Sequence, residues 1–365
     1  MKIIHIIGNM GPGGAEKLLL ETLPLYKEKG IICDLLVLNG TNFPFMESLK
    51  KMNCCKIFSL GYGSIYNPLL IFKIIPFINK YEIAHVHLFP AQYWVVFSKA
   101  LSFCKIKLVL TEHSSTNDRL EIPFLNIFDK LIYRLYSKTI CISESILEII
   151  LNYTKLNQNK LELIHNGINL EKIYNAKPYK KNEISPLFMD DDKILIQVAR
   201  FNKYKDHRTL IKSLKILPNN IKLILVGDGE LKFEIKKLIN ELDLNKRVAL
   251  LGVRMDVPNL LKSSDISILS SHSEGFGLVA IEGMAARKPF VGSDVKGLSN
   301  IVYGAGLLFE NGNEKQLANI ISRLINEPEL YEKVALDCFE RSQQYNINKM
   351  VAKHIDLYKS IFEKK

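Results

Sequence analysis

The chain has 365 residues, 47% of them hydrophobic and 24% charged. That balance excludes a disordered or low-complexity protein, and the length suits two domains of about 150–200 residues. The formal charge of +11 is uneven: residues 1–180 hold 21 Lys/Arg against 14 Asp/Glu, and the remainder 28 against 24. Such an excess favours anionic partners, nucleotide diphosphates or an acidic membrane face, while the lack of a basic run or basic–aromatic motif argues against nucleic acid.

The apolar start, Met1–Ile7, is too short for a signal-peptide core and runs straight into Gly8. The most apolar long stretch, Ile65–Ile78, is broken by Pro68, Lys73 and Pro76 and does not read as a membrane span. Six cysteines (33, 54, 55, 104, 141, 338) show no metal spacing, so a reduced, cytoplasmic compartment is expected.

In the first half, strands are predicted at Lys2–Ile7, Cys33–Leu38, Cys55–Leu60, Ile83–Leu88, Lys107–Thr111, Thr139–Ile142 and Leu161–Ile164. Helical patterns lie between several of them, including Gly14–Lys29, Pro90–Leu101 and Phe124–Tyr136. Continuous apolar strands alternating with helices indicate a buried, doubly wound parallel sheet, which binds ligands beyond the C-terminal ends of its strands. Chemistry-bearing residues fall at those ends. Gly8-Asn9-Met10-Gly11-Pro12-Gly13-Gly14-Ala15-Glu16 follows the first strand and departs from the dinucleotide G-x-G-x-x-G pattern. His85 and His87 point to one face of their strand, but no third ligand is close in sequence, so zinc is not expected. Thr111-Glu112-His113-Ser114 ends the next strand; a packed structural histidine is the alternative to a functional one there. The run from Asp118 to Lys138, rich in Phe, Leu, Ile and Tyr with Arg and Lys interspersed, is read as burying its apolar stripe, with docking on a membrane as the alternative. Lys172–Asp192, with two prolines and mixed charges, reads as a linker.

A second strand series comprises Lys193–Ala199, Lys222–Val226, Arg247–Leu251, Asp265–Leu269, Pro289–Gly292 and Gly306–Phe309. Arg200 and Lys205 follow its first strand, where a guanidinium and an ammonium could neutralise a departing diphosphate; solvated loop cations are the alternative. The most informative stretch follows Leu269: Ser273-Glu274-Gly275-Phe276-Gly277-Leu278-Val279-Ala280-Ile281-Glu282. Its glycines admit an anion to the backbone, and the helix that begins there offers free N–H groups. Two carboxylates bracket the turn.

This string resembles the E-x7-E signature of glycosyltransferase family 4, the group 1 glycosyltransferases. Other elements match in order: Gly13-Gly14-Ala15-Glu16 is similar to the family's G-G-x-E turn, Thr111–His113 to its T-x-H element, Asn166–Asn169 to its N-G turn, and Gly227–Gly229 to its G-x-G turn. At the family's G-G-x-P-E position this chain carries Lys296-Gly297-Leu298-Ser299-Asn300, with Lys296, Ser299 and Asn300 as departures. The resemblance implies a GT-B fold of the α/β class, two facing Rossmann-like doubly wound parallel-sheet domains with a C-terminal helix crossing back to the first. Domain bounds of 1–172 with 347–365, a linker over 173–192 and a second domain over 193–346 follow.

It further implies a retaining hexosyl- or N-acetylhexosaminyltransferase using a nucleotide-diphospho sugar, a UDP-sugar ahead of a GDP-sugar. The acceptor would be a glycan or polyprenyl-linked glycan of cell-surface polysaccharide, lipopolysaccharide or capsule synthesis, met at the inner membrane face. The catalytic residues implied are Glu274, Arg200, Lys205 and His113. The donor would be held by Gly14, Arg254, Gly275, Phe276, Gly277, Leu278, Val279 and Glu282, and the acceptor by Gly13 and Glu16. No metal or other cofactor is expected, since Arg200 and Lys205 supply the positive charge and no D-x-D motif ends a strand. A catalytically silent binding scaffold and a dinucleotide-dependent oxidoreductase are the rival readings.

Overall fold

The computed structural model describes residues 1–113 and 123–363, without the side chains of 123–126. The chain divides into two compact units, Met1–Gly167 with Ile347–Lys365, and Ile168–Asn346. Both are α/β, each built on one parallel sheet.

In the first unit, β1 (Lys2–Ile7), β2 (Ile32–Val37), β3 (Ile57–Ser59), β4 (Ile83–His87), β5 (Lys107–Glu112), β6 (Lys138–Cys141) and β7 (Leu161–Leu163) order as β3-β2-β1-β4-β5-β6-β7. In the second, β8 (Lys193–Val198), β9 (Ile221–Val226), β10 (Val248–Gly252), β11 (Ile266–Leu269), β12 (Phe290–Ser293) and β13 (Leu307–Phe309) order as β10-β9-β8-β11-β12-β13. Every strand pairing is parallel. Helices cover both faces, which is why the central strands are buried at nearly every position rather than at alternate ones. Ile3, Ile4, Ile6 and Ile7 are fully buried, as are Leu223, Ile224 and Leu225.

In each sheet the strand order reverses beside the unit's first strand, at β1/β4 and β8/β11. A crevice opens beyond the C-terminal ends of the strands at such a reversal, because the flanking connections leave in opposite directions. The glycine-rich turn Gly8–Gly14 and His87 sit at the first reversal; Arg200–Lys205 and Ser270–Gly277 sit at the second.

The helix Ile347–Glu363 belongs to the first unit and buries Met350, Val351, His354, Tyr358 and Ile361 there. Residues 173–192, expected as a linker, lie within the second unit. Tyr179 explains why: its N–H donates to Ser263 Oγ (2.8 Å) and its hydroxyl to Asp256 (2.7 Å). Phe188 is also buried.

Ser114 and Asp118–Ile122, which open the amphipathic stretch, lie outside the described residues. The rest forms the helix Pro123–Leu135. Its inner face buries Ile132 and Tyr133, followed by Tyr136 just past its end, while Ile127, Phe128, Leu131 and Leu135 are exposed. Burial of the apolar stripe, as expected from sequence, therefore holds for only one of two apolar faces.

Candidate active site

The second unit's site is built on an ion pair. Lys205 Nζ donates to Glu274 Oε1, and both side chains are largely buried. The residues are 69 positions apart and meet because β8 and β11 are neighbours. Past the strand ends the two chains continue side by side: Lys205 and Ser271 form an antiparallel bridge, and Asp206 N–H donates to Ser270 C=O (3.0 Å). Ser271 Oγ gives Glu274 Oε1 a second hydrogen bond (2.8 Å), and Ser271 N–H is itself held by Ser293 Oγ (2.9 Å). Neither serine stands in a motif, and neither is among the site residues expected from the sequence.

The backbone behind Glu274 is fixed by a glycine. Gly297 sits at φ +87°, and a Cβ there would lie 2.2 Å from Glu274 O. Of the departures in this segment, Ser299 donates through Oγ to Asp294 (2.7 Å). Gly277, at φ +85°, caps the helix Leu278–Ala285, a left-handed conformation that a side chain would oppose. The helix opens with Leu278 and Val279, whose N–H groups have no intrahelical acceptor. Glu282 lies on its second turn, buried. Phe276 is buried edge-to-face against Tyr345, with ring centroids 5.6 Å apart. Gly275 lies between Glu274 and Phe276 in this turn.

Arg200 lies exposed two residues past the end of β8 and has no ion-pair partner among the described residues. Arg254 differs: its guanidinium clasps Asp256 through Nε (2.8 Å) and Nη2 (2.5 Å), and this bond holds the Asp256 carboxyl down at about 2. Its charge is committed to that loop.

In the first unit, Asn9 Oδ1 accepts from Gly11 N–H (2.8 Å) and shapes the turn into the helix Gly14–Glu28. Gly13 caps that helix and Gly14 begins it; a Cβ on Gly13 would lie 2.2 Å from Glu16 Oε2, so Glu16 leans back over the turn. His113 follows β5 and meets His87, Nε2 to Nδ1, at 3.2 Å. Beneath this pair lies a layer unseen in the sequence. His5 Nδ1 is 3.1 Å from His87 Nε2, His85 bonds Tyr358 (2.5 Å) and Thr111 (2.6 Å), and Tyr26 bonds His354 (2.6 Å). Burial holds these imidazoles neutral, taking His113 down to about 4 and His5 to about 3.

Two family models match, "Glycosyltransferase Family 4" over residues 12–172 and "Glycosyl transferases group 1" over residues 179–336. The chain belongs to glycosyltransferase family 4, the group 1 glycosyltransferases. Among its relatives is the N-acetylgalactosamine-N,N'-diacetylbacillosaminyl-diphospho-undecaprenol 4-alpha-N-acetylgalactosaminyltransferase of Campylobacter jejuni, 26% identical over 90% of this chain and 91% of that one. The UDP-Gal:alpha-D-GlcNAc-diphosphoundecaprenol alpha-1,3-galactosyltransferase of Escherichia coli is 28% identical over 61% of this chain and 60% of that one. Alignments to curated relatives span from 54% to 98% of those proteins' own lengths. HepE of Anabaena, solved with UDP and glucose, shares the fold at TM-score 0.86 and 21% identity, covering 99% of each chain. The architecture of this family 4 glycosyltransferase is GT-B.

His207 supplies a pH test of the Lys205 loop. It is buried edge-on to Phe201 at 4.6 Å, and burial lowers it from 6.5 to about 4. The unfolded chain takes up this proton first as pH falls. Stability is therefore complete above pH 6.5 and is lost progressively down to about pH 4, by on the order of 3 kcal/mol from this group. Thermal melting followed from pH 7 to 4 should show a shallower decline for His207→Gln than for the parent chain; parallel curves would contradict the assignment.

Proposed function

We propose that this glycosyltransferase works with retention, moving a hexosyl or N-acetylhexosaminyl group from a nucleotide-diphospho sugar to a growing surface glycan, free or carried on a polyprenyl diphosphate. The observation that carries the reading is the Lys205–Glu274 pair, locked by Ser271 and Gly297 directly before a helix start. A carboxylate fixed in this way suits sugar hydroxyls. The Lys205 ammonium keeps two further N–H donors for phosphate oxygens.

In the reaction the anomeric C–O bond to phosphate breaks and a bond to the acceptor oxygen forms on the same face. The acceptor hydroxyl proton passes to the departing phosphate oxygen, so no carboxylate nucleophile is called for, unlike in retaining glycosidases. Negative charge growing on the diphosphate is met by Arg200, Lys205 and the N–H groups of Leu278 and Val279. No metal is assigned to that charge. Glu282 is assigned the ribose hydroxyls, and Gly275, Phe276 and Gly277 shape the donor turn. Arg254 is assigned to order the loop beside the base through Asp256. Gly13, Gly14, Glu16 and His113 of the first unit are assigned to the acceptor and the transferred sugar.

A UDP-sugar is favoured, supported by the UDP named for the Escherichia coli relative and bound in HepE. The diphospho-undecaprenol acceptors named for two relatives support a lipid-linked acceptor. Among the described residues, no helix is long and apolar enough to cross a membrane. The exposed stripe Ile127, Phe128, Leu131 and Leu135, with Lys130 and Arg134 beside it, is suited to rest on an anionic leaflet from the cytoplasmic side.

Glu274→Gln should lower kcat by about 10²–10³ with UDP affinity little changed. Glu282→Ala should instead weaken UDP binding about tenfold or more. Full activity in both variants would sink the assignment. In co-sedimentation with vesicles containing phosphatidylglycerol, Leu131→Ser with Leu135→Ser should release most of the bound chain; equal binding would remove the stripe from the account.

A further inference from the structure

We propose that the first unit holds a site for one divalent transition-metal ion, formed by His5, His85 and His87. The parallel register of β1 and β4 sets His5 opposite His85, and His87 follows two residues on, facing the same way. One nitrogen from each ring lies within 4.8 Å of the other two. Zinc–imidazole bonds of about 2.0–2.1 Å in tetrahedral geometry place ligand nitrogens about 3.3 Å apart. His5 Nδ1 and His87 Nε2 already stand at 3.1 Å. The other separations lie within 4.8 Å and close to that spacing with shifts of at most about 1.5 Å.

One further observation points to a bound species. The three rings line a cavity of about 20 Å³, with Thr111, His113, Asn166 and His354. That volume admits one small ion or one water.

The donor set selects the ion. All three donors are imidazoles and no carboxylate lines the cavity, a chemistry that suits zinc, cobalt, nickel or copper and disfavours magnesium and calcium. The outer contacts are those that orient ligating histidines. His87 bonds His113 through Nδ1, and His85 has Tyr358 and Thr111 at its two nitrogens, one of which would remain when the other turns to the ion. Without an ion, His5 and His87 share one proton between facing nitrogens. Binding would move that proton to the far nitrogen of the same ring, so that both imidazoles ligate as neutral rings, and leave the fourth position to water. The ion would tie β1 to β4 and fix the ring that His113 rests on. It is separate from the phosphate chemistry, whose cations belong to the second unit.

The full chain, stripped with a chelator, dialysed and titrated with Co²⁺, should bind one ion per chain with the visible bands of a nitrogen-rich tetrahedral complex. His5→Gln should weaken binding at least 100-fold, and Tyr358→Phe about tenfold. His165→Gln and His272→Gln should leave it unchanged. Because a buried substitution can unfold the chain, zinc-edge X-ray absorption on the unsubstituted chain supplies a second reading. It should show nitrogen scatterers at about 2.0 Å with imidazole multiple scattering. No stoichiometric ion, an ion retained by folded His5→Gln, or an edge spectrum without imidazole would each overturn the proposal.

Discussion

The second unit depends on a charge pair that is expensive to bury. Bringing Lys205 and Glu274 out of water costs several kcal/mol for each ion, and their attraction offsets this only when the geometry is tight and spare lone pairs are satisfied. Ser271 supplies the extra hydrogen bond, Ser293 holds Ser271, and Gly297 lets a second loop close behind the Glu274 backbone. Removing either ion would leave the other buried and uncompensated. The pair is better understood as a positioning device than as a source of stability: it fixes one carboxylate and one ammonium beside the start of the helix Leu278–Ala285. A sugar with a diphosphate asks for that combination at one point.

The first unit uses the same sheet reversal for different chemistry. Parallel-sheet cores are ordinarily aliphatic, yet here His5, His85 and His87 occupy the face of β1 and β4, and the helices Gly14–Glu28 and Ile347–Glu363 add Tyr26, His354 and Tyr358. Every polar atom in such a layer must find a partner, since an unmade hydrogen bond in a low-dielectric interior costs about 1–3 kcal/mol. Most do so among themselves. The last helix of the chain is thus needed to complete the polar layer of the first unit, in addition to closing its core.

Much of this was legible in the sequence, for physical reasons that differ by element. The thirteen strands among the described residues fall within two residues of their predicted bounds, because strands covered on both faces are largely apolar runs. The turn at Glu274–Gly277 was legible because only glycine tolerates its backbone and because its carboxylate spacing is distinctive. Contacts set by register were not. Nothing local brings Lys205 to Glu274 or Ser271, and His5 joins His85 only when β1 is placed beside β4, so the third imidazole was invisible in a strand read alone. The helix Pro123–Leu135 misled for a related reason: apolar residues on two faces give no sign of which one the sheet covers. Residues 173–192 carry the prolines and charges of a linker, yet Tyr179 anchors them to Ser263 and Asp256, far ahead in the chain.

The central claim is that the second unit binds a nucleotide-diphospho sugar around the Lys205–Glu274 pair. A thermal-shift comparison of UDP, GDP, UDP-glucose, GDP-mannose and NAD tests it most directly. The account predicts that uridine ligands at about 100 times their Kd add roughly 2.7 kcal/mol, a shift of several degrees, and that Lys205→Met abolishes most of it. Stabilisation by NAD alone, or a uridine shift undiminished in Lys205→Met, would contradict it.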